Sequence, residues 1–196
     1  YYSQGMVSAD TPIRDVPLLA IDFETTGLTP QNHGIVSIGA IPMTLNRIQM
    51  SGARHWVTKP RRSLTDESVV IHGITHSDIE SAPDLDELLD DMLRMFAGRV
   101  WVVHYRGIER PFFQHALNER LSETLEFPVI DTMALEARLH RVKPITLWSR
   151  MLGRQQQSIR LADSRARYNL PFYQPHGAVT DALACGELLQ AQVTKH

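Results

Sequence analysis

Residues 17–27 read Pro-Leu-Leu-Ala-Ile-Asp-Phe-Glu-Thr-Thr-Gly, an uninterrupted apolar run that ends in two carboxylates one residue apart. Leu18, Leu19, Ala20 and Ile21 have the length and character of a buried strand, and Gly27 with Pro30 marks its end. This part of the chain is therefore committed to a sheet, and the sheet's pleat sets the direction of each side chain. Side chains alternate along a strand, so Asp22 and Glu24 point the same way while Phe23 points into the core. Two like charges on one face at a strand's end repel unless a cation sits between them. Hard divalent cations such as Mg²⁺ or Mn²⁺ take oxygen ligands of this kind. In isolation the same pair reads as a solvated surface pair after a core strand, so its meaning depends on what else reaches that end of the sheet.

With 196 residues, 43% of them hydrophobic, the chain suits one globular domain with a substantial core. Residues 17–196 are read as that domain and residues 1–16 as an N-terminal extension, the first five, before Met6, being a remnant outside the fold. No stretch approaches the apolar length of a membrane span and the start lacks a signal-peptide pattern, so a cytoplasmic location is the default expectation. The one cysteine, Cys185, lies among small and apolar residues of an apparent helix and reads as a packed thiol.

Net charge is −2, which argues against bulk attraction to nucleic acid, but the charge is unevenly spread. Before Arg99 there are 7 basic and 13 acidic residues; from Arg99 onward there are 13 basic and 9 acidic. The excess gathers in Arg138, Arg141, Lys143, Arg150, Arg154, Arg160, Arg165 and Arg167. Such a stretch either tracks a phosphate backbone or forms a solvated helical face.

Strands are expected at residues 18–22, 35–43 and 48–58, joined by short links with Gly, Asn and Pro that favour antiparallel neighbours. Leu85, Leu88, Leu89, Met92, Leu93 and Phe96 recur at helical spacing between Pro83-Asp84 and Gly98. A short strand is expected at 100–103, then a helix whose first turn holds Pro111, then a strand at 129–130 entering Asp131-Thr132 as a helix start. Helices follow around 146–152 and 158–168 and from Ala178 to about Val193. The order predicts an α/β fold: a mixed sheet with three leading antiparallel strands and parallel crossovers beyond, flanked by helices. In such sheets active sites favour the carboxyl ends of parallel strands, where Asp22 and Glu24 lie.

Two further segments bear on that site. Glu109 follows the 100–103 strand and enters the same end of the sheet if that strand is parallel to the first; alone, it is also what a helix start favours through its dipole. His176-Gly177-Ala178-Val179-Thr180-Asp181 is the sharper signal. Residues five apart on a helix stand about 140° apart, so His176 and Asp181 converge only if His176 is still on the loop, as Pro175 and Gly177 suggest. A neutral imidazole in that position suits a general base.

These segments resemble the DEDD 3′–5′ exonucleases in their histidine-bearing (DEDDh) branch, most of all the proofreading epsilon subunit of bacterial DNA polymerase III and its stand-alone relatives. The resemblance rests on Asp22-Phe23-Glu24-Thr25-Thr26-Gly27-Leu28, His176 through Asp181, Ile71-His72-Gly73-Ile74-Thr75 and Phe127-Pro128-Val129-Ile130-Asp131-Thr132, and spans about Leu18 to Val193. One segment departs from the family pattern: His104-Tyr105-Arg106-Gly107-Ile108-Glu109 stands where His-Asn-Ala-x-Phe-Asp is usual, so the acidic position carries the longer glutamate. The Gly177 position, too, often carries a larger residue in relatives.

The resemblance implies a ribonuclease H-like fold and two divalent ions, Mg²⁺ or Mn²⁺, held by Asp22, Glu24 and Asp181 with Glu109 assisting. It assigns His176 to removing a proton from the attacking water. Hydrolysis of the terminal phosphodiester would release nucleoside 5′-monophosphates from single-stranded or frayed 3′ ends of DNA. Thr25, Thr26, Gly27 and Leu28 would cradle the terminal nucleotide, with His72 nearby. Alternative readings are an RNA-directed 3′–5′ exoribonuclease, or a catalytically weak nucleic-acid-binding or polymerase-accessory module. Polymerase association is an implication of the resemblance that no tail or sliding-clamp motif here supports. A zinc site has little basis with one cysteine, and no phosphate-binding P-loop is present.

Overall fold

The computed structural model describes residues 1–61, 74–140 and 156–196. The expected helix at 146–152 and the Ile71-His72-Gly73 segment lie outside the described residues. The described strands are β1 (Leu18–Thr25), β2 (Ile35–Thr44), β3 (Arg47–Ile48), β4 (Arg54–Val57), β5 (Val100–Val103) and β6 (Val129–Asp131). The described α-helices are α1 (His76–Glu80), α2 (Leu85–Phe96), α3 (Arg106–Leu121), α4 (Thr132–His140), α5 (Leu161–Arg167) and α6 (Ala178–Lys195).

The strands form one mixed sheet in the order β3-β2-β1-β5-β6, with β4 also on the outer edge of β2. β1 is antiparallel to β2 and parallel to β5, and β5 is parallel to β6. This is the expected topology. The third expected strand, however, is two: β3 and β4 are separated by a 3₁₀ turn at Met50–Gly52. Pro42 explains the break. Its carbonyl accepts from Gln49 N–H at 2.9 Å, but proline has no N–H to return, so the ladder along that edge of β2 cannot run on.

The central strand is buried on both faces, as its unbroken apolar run requires. Leu19, Ile21 and Phe23 face a core shared with Leu85, Leu89, Met92 and Phe96 of α2 and with Phe112, Phe113, Ala116 and Leu117 of α3. Trp101 of β5 completes it, stacked on Phe127 at 4.0 Å between ring centres. Leu18 and Ala20 face the other way, against Cys185 and Leu189 of α6 and Val102 of β5. Asp22 and Glu24 continue this second row, so the face covered by α6 is the face on which the carboxylates emerge.

α6 lies unusually close to the sheet because glycines remove side chains from both partners. A Cβ on Gly186 would come within 3.0 Å of the Met43 sulfur and 3.3 Å of Ala20 Cβ. On the sheet, a Cβ on Gly39 would come within 2.2 Å of the Ala178 backbone. Gly39 is the β2 partner of Asp22, so the first turn of α6 docks beside the carboxylates.

Two further expectations are corrected. α3 begins at Arg106, which puts Pro111 in its second turn, where it cannot donate to the carbonyl of residue 107. The helix expected over 158–168 is the shorter α5. The first residues also pack onto the fold: Val16 is buried, Val7 lies against the α6-side core, and Tyr2 Oη accepts from Glu126 N–H at 2.9 Å. No helix among the described residues is long and apolar enough to cross a membrane.

Candidate metal centre and catalytic residues

One carboxylate oxygen from each of Asp22, Glu24 and Asp181 lies within 4.8 Å of the other two. Asp22 and Glu24 arrive from the carboxyl end of β1, and Asp181 from the first turn of α6. Burial pushes the Asp22 carboxyl well above its ordinary range, and the nearby charges of Glu109, Glu24 and Asp181 push it further. Burial likewise raises Asp181, Glu24 adding to the effect while the His176 backbone N–H opposes it. Crowded carboxylates whose negative charges disfavour one another describe a hole for a hard cation.

Glu109 stands in the first turn of α3, 3% exposed, outside the trio but near enough for its charge to act on Asp22. Its Oε2 is buried without a hydrogen-bond partner. Burial first, and the Asp131 charge after it, push its carboxyl up to about 8. A buried, unpartnered carboxylate oxygen whose charge reaches Asp22 fits a divalent ion or its water shell.

The convergence of His176 and Asp181 is made by the backbone. His176 adopts φ 71°, a left-handed turn, and its N–H donates to Asp181 Oδ2 at 2.9 Å. Asp181 N–H donates to the Gly177 carbonyl at 2.8 Å. His176 is therefore on the loop and Asp181 on the helix, with the exposed imidazole beside the cluster. Gly177 itself has ordinary extended geometry, and a Cβ there would meet only Thr180, at 3.5 Å from Oγ1 and 3.7 Å from Cβ, which is ordinary contact.

The Thr25–Leu28 turn is tied to itself. Thr25 Oγ1 donates to the Gly27 carbonyl at 2.7 Å, and Thr26 Oγ1 accepts from Gly34 N–H at 2.9 Å. Gly27 packs against the His33 ring, where a Cβ would sit 2.3 Å from the nearest ring carbon. Leu28 projects from this turn 80% exposed, an apolar side chain four residues after Glu24. His72 lies outside the described residues.

Sequence reasoning missed Asp131 as an organiser of the site. From the end of β6 its carboxylate accepts from Tyr105 N–H at 3.3 Å, Arg106 N–H at 3.1 Å and Ala134 N–H at 3.0 Å. It thus caps the start of α3, which carries Glu109, and the start of α4. It also holds Tyr105 at φ 100°, a conformation a tyrosine adopts only under restraint. The available signal was an aspartate directly before a helix start.

The basic stretch is corrected in part. Arg165 is buried and pairs with Glu187 at 2.8 Å, while Arg167 pairs with the buried Glu136 and donates to Ser164 Oγ at 2.9 Å. These two guanidiniums tie helices together through their carboxylate partners. Arg138 and Arg160 are exposed, and Arg141, Lys143, Arg150 and Arg154 lie outside the described residues. Cys185 is a packed thiol, as expected, with burial holding it well above its ordinary pKa.

The sequence matches the family described as "Exonuclease" (RNase_T) over residues 19–189. It is 30% identical over 141 residues to a PolC-type DNA polymerase III of Thermotoga maritima, which covers 72% of this chain and 10% of that protein. It is 27% identical over 178 residues to the DNA polymerase III epsilon subunit of Rickettsia prowazekii, covering 88% of this chain and 72% of that one. Among solved structures, the nuclease domain of 3′hExo, a DEDDh family member bound to rAMP, superposes with a TM-score of 0.72 at 14% identity, covering 95% of each chain. Exonuclease I of E. coli in complex with a dA16 oligonucleotide gives 0.74 at 13% identity, covering 93% of this chain and 42% of that one. The chain thus spans about a tenth of the PolC-type polymerase it matches.

Proposed function

This chain belongs to the exonuclease family, and we propose that it is a metal-dependent 3′–5′ exonuclease acting on single-stranded or frayed 3′ ends of DNA, with residues 17–196 as its one catalytic domain. The observation that carries the reading is the meeting of Asp22, Glu24 and Asp181 within 4.8 Å at the carboxyl end of β1. The two sequence relatives named above are DNA polymerase III proteins, which favours DNA as the polymer.

Asp22, Glu24 and Asp181 would hold divalent ions, Mg²⁺ or Mn²⁺, with Glu109 assisting through its unpartnered oxygen. Two such ions, when bound, would supply charge neutralisation at a phosphodiester and a lowered pKa for an attacking water. His176 takes the proton of that water as it attacks the terminal phosphorus, and the 3′ oxygen of the shortened strand leaves. The product is a nucleoside 5′-monophosphate. The backbone bond from His176 to Asp181 fixes the loop that aims the imidazole. Leu28 offers an apolar face to the terminal base, a grip that does not depend on sequence.

RNA is the second reading, since one protein of like fold is bound to rAMP. Parallel assays on single-stranded DNA, mismatched duplex DNA and short RNA of matched sequence decide it. Faster hydrolysis of both DNA substrates is expected, and a preference for RNA would replace the DNA reading with the exoribonuclease one.

A further inference from the structure

Between α5 and α6 lies a pocket of about 100 Å³ that the proposed chemistry does not use. Leu161 and Ala162 of α5, Leu170, and Ala184 of α6 give it an apolar wall, and Asp181 forms one edge. Phe172 lines it and is 72% exposed, four residues before His176. A loose loop could leave a ring in water by default, but this segment is held. Arg165, only 4% exposed, donates to the Pro171 carbonyl at 2.8 Å, to Ala184 O at 2.7 Å and to Glu187 Oε2 at 2.8 Å. The same guanidinium lies 4.5 Å from the centre of the Tyr173 ring, and Tyr173 Oη donates to Glu187 Oε1 at 3.0 Å. The backbone just before Phe172 and the side chain just after it are therefore both held, while the Phe172 ring itself is exposed. A phenyl ring held in water forgoes the stabilisation of burial, and beside an apolar hollow it marks a binding surface.

We propose that this hollow takes an unpaired nucleobase of the substrate strand, stacked on Phe172, upstream of the bond being cut. The proposal rests on the exonuclease reading above. Continuity with the cluster favours a base over a protein segment: Asp181 belongs both to the pocket and to the carboxylate trio, so a strand whose phosphate lies at the trio runs past the hollow. Every base presents a flat π-face, so stacking there grips without reading sequence. The terminal base already has the Leu28 turn, which leaves the α5–α6 hollow for a base further up the strand.

The test compares the wild type with Phe172→Ala on an oligothymidylate and on thymidine 5′-(4-nitrophenyl phosphate), which carries a single base. For Phe172→Ala, KM for the oligothymidylate should rise about tenfold, the loss of one base stack, with kcat nearly unchanged. Hydrolysis of the nitrophenyl ester should be unaffected, and Phe172→Trp should restore the oligothymidylate KM. An unchanged oligothymidylate KM overturns the proposal and leaves the hollow to a protein partner; an equal loss on both substrates overturns it as well. A wild type inert on both substrates overturns the exonuclease reading, and the nucleobase site with it.

Discussion

Gly39→Ala probes how the fold builds the metal centre. Gly39 lies beside Asp22 in the sheet and under the first residues of α6. An alanine methyl there would fall 2.2 Å from the Ala178 carbonyl carbon, 2.3 Å from its oxygen and 2.4 Å from Val179 N. Non-bonded carbons rest at about 3.5 Å or more, so the N-terminus of α6 would have to withdraw by about 1.3 Å. The obstacle is backbone, and no rotamer change relieves it. Asp181 is one turn into that helix and moves with it, away from Asp22 and Glu24. A displacement of about 1 Å in a reacting constellation costs about 100-fold in rate. Overpacking of this kind destabilises by about 1–3 kcal/mol, which for a chain of this size lowers Tm by about 2–12 °C and leaves it folded at 25 °C. Single-turnover hydrolysis of a 5′-labelled oligonucleotide, a Mn²⁺ titration and thermal unfolding of the same variant give the three readouts. A Gly39→Ala protein with wild-type rate and metal affinity would refute the claim that the close approach of α6 places Asp181.

Replacing His176 by Ala should slow the chemical step about 10²- to 10⁴-fold while KM stays close to wild type; an unchanged single-turnover rate would remove the imidazole from the general-base role. Glu109 predicts a pH effect in the metal-free protein. Its folded carboxyl titrates near 8 against an ordinary value of 4.5, so the folded state keeps a proton that the unfolded state gives up. The stability this contributes is full below pH 4.5 and is lost as pH rises to about 8. Glu109→Gln keeps the neutral shape, so in chelator it should lose less stability than the wild type between pH 5 and pH 8 by urea unfolding. Identical pH dependence of the two proteins would mean that Glu109 is already ionised in the fold.

The parts of the site legible in the sequence are those written in periodicity and turn chemistry. The apolar run through Ile21 could only be a buried strand, so alternation put Asp22 and Glu24 together; Pro175 and Gly177 kept His176 off the helix that carries Asp181. Gly39 was not legible, because a glycine inside an apolar strand looks the same whether or not a helix backbone rests on it. Charge was legible only as a total. Arg165 and Arg167 count as basic in the sequence, yet buried Glu136 and partly buried Glu187 claim them, and those partners lie 31 and 22 residues away. The single strand expected over 48–58 failed for a local reason that belongs to its neighbour: Pro42 of β2 withholds the N–H that a continuous ladder needs. Asp131 was visible only as the residue before a helix, whereas its work is to cap a second helix 25 residues earlier in the chain.

The central claim is that the carboxylates of Asp22, Glu24 and Asp181 hold the metal that cuts. A 5′-labelled single-stranded oligonucleotide, followed on a sequencing gel with and without chelator, tests it most directly. The account predicts a ladder shortening one nucleotide at a time from the 3′ end, its arrest in excess chelator, its return with Mg²⁺ or Mn²⁺, and its absence from an Asp22→Ala control. Undiminished shortening in excess chelator, or by the Asp22→Ala protein, would contradict it.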